Sequence, residues 1–296
     1  MPESAARPQR DSPDEGSDEL RLASRMHRVT NAFHGFIYFA PECRPHFAAL
    51  GLEEHHDYFA ARAAPMGPVP AEVVMATFYN FAPRRVRAAL PQAWSIASPE
   101  DIQAARMKAA GERLTLAAGS VTPARIGEAI DICEQVVDSL EWGARPLAGA
   151  NAAVALPKEP MLRLWQLVTI IREWRGDAHV AALAAAALDP LGCLIAHAAT
   201  GQVPRSALQE SRGWTDSEWA AGIERLVARG WCEADGSFTP LGAEARAAVE
   251  TTTDVLSAPM WADRADQAQT LLATLKPLSA SIWKDMPMPS WTKPRQ

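Results

Sequence analysis

Proline recurs along the chain at Pro65, Pro68, Pro70, Pro83, Pro91, Pro146, Pro157, Pro160 and Pro204, between stretches whose apolar residues repeat at helical spacing. Inside a helix a proline loses a backbone hydrogen bond and clashes with the preceding turn, but at the first helical position its missing N–H costs nothing. The breaks therefore delimit short helices. Between them, Leu164, Leu167, Val168 and Ile171 form one apolar stripe with Trp165 beside it, and Leu114–Ala118 and Ile126–Leu140 form others. The expected fold class is mainly α.

One segment can be read almost residue by residue. Val203-Pro204 opens a short helix running to about Ser211, with Pro204 near its first position, and Gly213 breaks it. Thr215 stands as an N-cap with Glu218 three residues on, the spacing of a capping box. The helix that follows places Trp219, Ile223, Leu226 and Val227 on one face and ends at Gly230. Residues Trp231 to Thr239, around Asp235-Gly236, read as two short strands of a hairpin, and Thr239-Pro240 restarts a helix. Helix, turn, helix, hairpin, helix is the order of a winged helix.

An earlier stretch echoes this one. Gly67-Pro68-Val69-Pro70 resembles Gly201-Gln202-Val203-Pro204, and each is followed by a short helix, an aromatic-containing break and an arginine-bearing helix that ends at Trp94 or Trp231. The expectation is two helical half-units, the first without a wing and the C-terminal one a winged helix with a short β-hairpin. The expected boundaries are a polar, acidic tail at 1–18, an N-terminal helical domain at 19–150, a winged-helix-containing domain at 151–284 and a Pro-rich tail at 285–296, docked by Trp283 and Trp291.

Several words bear a resemblance to a known family: Tyr38-Phe39-Ala40-Pro41-Glu42, Ala61 to Gly67, Arg172-Glu173-Trp174-Arg175-Gly176-Asp177-Ala178-His179, Arg212-Gly213-Trp214-Thr215 and Thr251–Asp254. Over about residues 22–275 the chain resembles the helix-turn-helix proteins named after SalK, common in actinobacteria and in some cases encoded beside antibiotic-biosynthesis genes. The resemblance implies a fold. It implies no catalytic residue, because fold does not fix function.

Charge argues against DNA. The chain carries a formal net charge of -6, and from Arg205 to Glu250 five basic residues face eight acidic ones. Each phosphate contact needs a donor, usually a cation. The first turn of the would-be recognition helix, the part that enters the major groove, carries Asp216 and Glu218. Its expected solvent face, Ser217, Glu218, Ala221, Glu224, Arg225 and Ala228, offers one arginine.

Two clusters suit a small molecule. The first is aromatic and polar: His34, Tyr38, Tyr58, Arg62, Tyr79 and Asn80 among several phenylalanines, with all three tyrosines of the chain. Aromatic walls with one arginine and an amide fit a planar or acidic ligand, although aromatic residues at helical spacing are also ordinary core. The second is Arg172, Arg175, Asp177 and His179, where two arginines could hold a carboxylate or phosphate and Asp177 could orient the imidazole. Structurally, Arg175 and Asp177 could instead close a loop at Gly176, with Asp177 capping the next helix. If the halves are related by pseudo-symmetry, both clusters face one cleft. A third group, Glu53-Glu54-His55-His56-Asp57 with His46, lacks a metal-ligand spacing and reads as an exposed polar turn.

No nucleotide-binding glycine motif and no G-x-S-x-G is present. The N-terminus has no apolar core of a secretory signal, and Ala178–Ala199, cut by Asp189-Pro190, reads as two buried helices and not a membrane span. Four dispersed cysteines read as free thiols in a reducing cytoplasm. The reading is a cytoplasmic small-molecule-binding helical protein, in one form an enzyme of specialised metabolism, with the winged helix as scaffold. The alternative is a ligand-responsive DNA-binding regulator. No metal is expected, and no cofactor, catalytic residue or oligomeric state is assigned.

Overall fold

The computed structural model describes residues 13–117 and 119–286, with side chains described from Asp18 onward except those of Glu54 and Ala118. The expected tails lie outside the described residues at 1–12 and 287–296, as does Trp291; the first helix is described from Pro13.

Among the described residues fifteen α-helices follow one another: α1 (Pro13–Gly35), α2 (Cys43–Ala49), α3 (Glu54–Ala63), α4 (Ala71–Phe78), α5 (Pro83–Ala89), α6 (Gln92–Ile96), α7 (Pro99–Thr115) and α8 (Pro123–Asp138). Then come α9 (Pro146–Ala152), α10 (Pro160–Ala185), α11 (Gly192–Ala199), α12 (Arg205–Arg212), α13 (Asp216–Ala228), α14 (Pro240–Val255) and α15 (Ala265–Trp283). Pro83, Pro99, Pro123, Pro146, Pro160 and Pro240 each begin a helix, where their missing N–H is harmless. Pro277 is the exception, inside α15, where fully buried Leu275 and Leu278 on either side hold the helix together by packing.

The winged helix is corrected. Among the described residues there is no strand, and the segment after α13 contains one isolated antiparallel bridge, Cys232 to Phe238. Glu233 N–H donates to Ser237 O at 2.9 Å and Thr239 N–H to Trp231 O at 3.0 Å. The connection is simply too short. Asp235 turns it locally by accepting from Ser237 N–H, and Thr239 must already cap α14 through Gly242 N–H, so no residues remain to extend a ladder. The cap positions themselves form: Thr215 Oγ1 accepts from Glu218 N–H at 3.2 Å, and the Glu218 carboxylate accepts from Thr215 N–H at 2.8 Å. Gly213 ends α12 at φ +78°, a left-handed conformation that other residues adopt at a cost. Within α13, Trp219 and Leu226 are buried as the periodicity requires, but Val227 is exposed; Gly222 instead faces Leu191 and Ile195.

The apolar interior falls into two clusters. One gathers residues from Leu22 to Trp174 together with Ala258 to Met286; the other holds Ala182 to Val249. The two clusters divide inside α10, and α15 returns to pack on α1 and α8. Helix α10 is the common spine, with Leu164, Trp165 and Val168 in one cluster and Ala182 and Leu183 in the other. Residues 186–191 separate α10 from α11, and among the described residues no helix is long and apolar enough to cross a membrane. All four cysteines are free and buried.

Candidate functional site

Between the two clusters lies a cleft of about 510 Å³. Helix α10 forms its floor. Four residues at helical spacing, Arg172, Arg175, Gly176 and His179, line it from one side of α10. Tyr58 and Arg62 enter from α3, Phe78 to Phe81 from the end of α4 and the turn after it, Arg212 from α12, and Arg246 and Glu250 from α14.

Glu173 organises the inner end. Its side chain is 1% exposed and takes a two-pronged pair from Arg62, with Nε to Oε1 at 3.2 Å and Nη2 to Oε2 at 2.9 Å. Arg172 Nη1 adds a third contact to Oε2 at 2.7 Å, while its Nε reaches Asn31 Oδ1 at 3.1 Å. Burial alone would push the Glu173 carboxyl up, but Arg172 and Arg62 outweigh it and hold the group well below the usual carboxylate range. Arg62 also donates to Tyr58 OH at 3.1 Å and lies 4.3 Å from the Phe78 ring centre.

Arg212 is different. It donates to Asn80 Oδ1 at 3.2 Å and Ser211 Oγ at 3.0 Å and sits over the Phe81 ring, but among the described residues no carboxylate pairs with it. Burial lowers its pKa. The inner end thus holds three guanidinium groups, of which Arg62 and Arg172 share Glu173 and Arg212 has, among the described residues, no paired carboxylate, while the nearby Asp177 is turned to the N–H groups of α9. At the outer end the charges balance: Arg175 pairs with Asp254 at 2.9 Å and Glu250 at 3.4 Å, and Arg246 with Glu250 at 2.7 Å.

Three imidazoles face the outer part. His27, His179 and His197 are all pushed down by burial, His179 to about 4, so they are neutral at neutral pH. His179 Nδ1 lies 3.0 Å from Thr253 Oγ1, whose own hydroxyl donates to Val249 O at 2.8 Å. With the hydroxyl proton given to Val249 O, the contact assigns the hydrogen to Nδ1 and the lone pair to Nε2.

Eight of the ten candidate residues line this cleft: Tyr58, Arg62, Tyr79, Asn80, Arg172, Arg175, Asp177 and His179. His34 and Tyr38 lie behind it. The Tyr38 hydroxyl donates to His34 Nε2 at 2.8 Å; Nδ1 of His34 donates to Thr169 Oγ1 at 2.9 Å, and that hydroxyl donates to Trp165 O. Tyr38 stacks obliquely on Tyr58, 5.1 Å between ring centres, so the pair supports the wall. The Tyr79 hydroxyl is taken up by Leu188 O. Asp177 sits in mid-helix with no loop at Gly176; it caps α9 from the side, accepting Leu147 N–H and Ala148 N–H at 3.0 Å each. The group around His55 is helical, not a turn, and His56 is buried with Nδ1 accepting Glu53 N–H at 3.1 Å.

Sequence reasoning passed over Glu173, Arg212 and Thr253. Glu173 had a signal: Gln166, Thr169 and Glu173 are polar at i, i+3 and i+7, the first two set among the apolar residues Leu164 to Ile171, which marks a buried polar stripe. Arg212 and Thr253 had none, since Asn80 and His179, the partners that tie them into the site, are over 70 residues away.

The helix-turn-helix is clamped at its turn. Arg84 of α5 forms a two-pronged pair with Glu218 at 2.7 and 2.8 Å and donates to Gly213 O. Ala82 N–H donates to Arg212 O at 3.0 Å, and Trp214 Nε1 to Asn80 O at 3.0 Å. The turns of the two echoing segments therefore meet. On the exposed side of α13, Arg225 is paired with Asp189 at 3.1 Å, and Asp216 with Arg205 at 3.0 Å.

A model of a helix-turn-helix family matches residues 23–289. No curated protein and no solved structure is matched.

Proposed function

The chain belongs to this helix-turn-helix family, and on that premise we propose that it binds a planar, anionic small molecule in the cleft over α10, using its helix-turn-helix as scaffold. The observation that carries the reading is Arg212, which among the described residues pairs with no carboxylate and stands beside Arg62 and Arg172, themselves sharing Glu173, in a recess walled by Tyr58, Phe78 and Phe81. A partly buried guanidinium without a counter-ion is costly, and a bound carboxylate or phosphate offsets that cost with paired, charge-assisted hydrogen bonds. The scaffold role rests on α13, whose first turn is held by Arg84 and whose exposed arginine is already neutralised. Residues proposed to meet or support the ligand are His34, Tyr38, Tyr58, Arg62, Tyr79, Asn80, Arg172, Arg175, Asp177 and His179, with Arg212 added. The SalK-like resemblance, actinobacterial and tied to antibiotic biosynthesis, makes a compound of specialised metabolism the natural occupant and an enzyme acting on it one form of the function.

Native mass spectrometry of protein purified from its own host, beside Arg212→Leu, tests this. A retained anionic ligand lost in the variant supports it; a ligand-free protein whose melting temperature no carboxylate or phosphate raises refutes it.

The second reading is a ligand-responsive transcriptional regulator, favoured by family membership and by Arg212 standing at the end of α12, next to the turn. In that case a cleft ligand would shift the clamp between Arg84 and Glu218 and free α13. Ligand-dependent, sequence-selective DNA retardation would favour it.

A further inference from the structure

Building on the anion reading of this cleft, we infer that the ligand lies lengthwise along α10 over Gly176, its anionic group among Arg62, Arg172 and Arg212 and a hydrogen-bond donor at its far end received by His179 Nε2.

Helix geometry sets the length. Arg172 and His179 are seven residues apart on one face of α10, two turns, which places them roughly 10 Å from each other along the axis. Between them Gly176 faces the cleft. A glycine in a helix interior is destabilising relative to alanine, so its presence needs a reason. A Cβ at this position would stand 3.3 Å from Glu173 Oε2, with nothing else within 4 Å outside its own helix backbone and chain neighbours. Glycine here leaves the floor bare. A flat body can lie directly on the backbone, against Tyr58, Phe78 and Phe81.

Thr253 fixes the polarity of the far end. Because its hydroxyl proton goes to Val249 O, it holds the hydrogen of His179 on Nδ1 and leaves Nε2 as an acceptor, with no hydrogen-bond partner among the described residues. The neighbouring imidazole of His27 likewise has an unpartnered Nδ1. A site ending in the Nε2 lone pair of His179 selects a ligand ending in O–H or N–H. The class is a rigid planar carboxylate with a donor about 10 Å away.

Calorimetric titration of the full chain with 4-hydroxycinnamate, cinnamate and 4-methoxycinnamate tests the placement. The hydroxy acid should bind about tenfold more tightly than cinnamate, and the methoxy acid, which cannot donate, no better than cinnamate. His179→Phe should erase the preference while leaving cinnamate affinity within about twofold, the size of a contact not made. Thr253→Val, which touches no ligand, should erase it too by freeing the tautomer, and Gly176→Leu should abolish binding of all three. Equal binding of the three acids by the wild-type protein overturns the placement and leaves the anion reading standing, and this comparison needs no variant to fold. Binding of none of them at millimolar concentration, with inorganic phosphate also rejected, overturns both. Retention of the hydroxyl preference by His179→Phe overturns the role of the imidazole.

Discussion

Arg62 and Glu173, 111 positions apart in sequence, share two hydrogen bonds that tie α3 to α10 at the inner end of the cleft. The pair is nearly dry, with the carboxylate side chain 1% and the guanidinium side chain 12% exposed. Such pairs add little net stability over apolar replacements but are expensive to break from one side.

Glu173→Gln should accordingly lower unfolding free energy by about 3–5 kcal/mol, because it strands Arg62 and Arg172 together without a counter-charge. Urea unfolding followed by circular dichroism reads this directly. An added anionic ligand should restore more stability to the variant than to the wild type. A loss under about 1 kcal/mol would mean that the arginines find water or another partner.

Asp177 should leave a signature in the pH dependence of stability. Burial raises its carboxyl to about 6, against which the Ala148 and Leu147 N–H bonds work only in part. Between the ordinary aspartate value and about 6, the folded chain holds a proton that the unfolded chain has released, so this group makes stability fall as pH rises through that window. The buried histidines act oppositely there. Their folded values are lowered, so their contribution falls as pH drops below the unfolded imidazole value. Asp177→Asn keeps an acceptor for α9, and the difference between its stability and that of the wild type, measured from pH 4 to 7, should show the Asp177 slope alone. A flat difference would place the carboxyl in its ordinary range.

DNA binding should be weak and unselective. Gel retardation with the DNA upstream of its own gene at low salt should give no sequence-selective complex, for the wild type or for Arg84→Ala. The variant removes the clamp on Glu218 at little cost, since the pair is exposed and such pairs are worth at most about 1 kcal/mol. Tight, selective binding by either protein would move the molecule into the regulator class.

Gly242→Ala should be severely destabilising although the change adds one methyl group. A Cβ at this position would fall 1.8 Å from Trp231 O, against backbone that Thr239 N–H also holds. A loss of more than about 2 kcal/mol is expected, with the Trp231 segment displaced from α14. Thermal unfolding compared with Gly127→Ala, where nothing lies within 4 Å, separates this clash from the helix propensity of alanine, which favours the substitution at both sites.

What the sequence by itself determined was local. Prolines at helix starts, Thr215 with Glu218, Gly213 and Thr239 with Pro240 act through bonds within a few residues, so helix boundaries around them can be read from neighbours alone. The expected hairpin failed on a local count as well: the turn and the cap of α14 use up the residues that two strands would need. The candidate site was half legible. Its arginines, tyrosines and His179 stand out as residue types, but their roles depend on partners far away in the chain. Asp177 caps a helix 30 positions earlier, Arg212 takes its amide from Asn80, and Thr253 decides which nitrogen of His179 holds a proton. Only tertiary structure decides such things, because packing α10 between two apolar clusters removes water from these groups and leaves each to whichever partner the fold delivers.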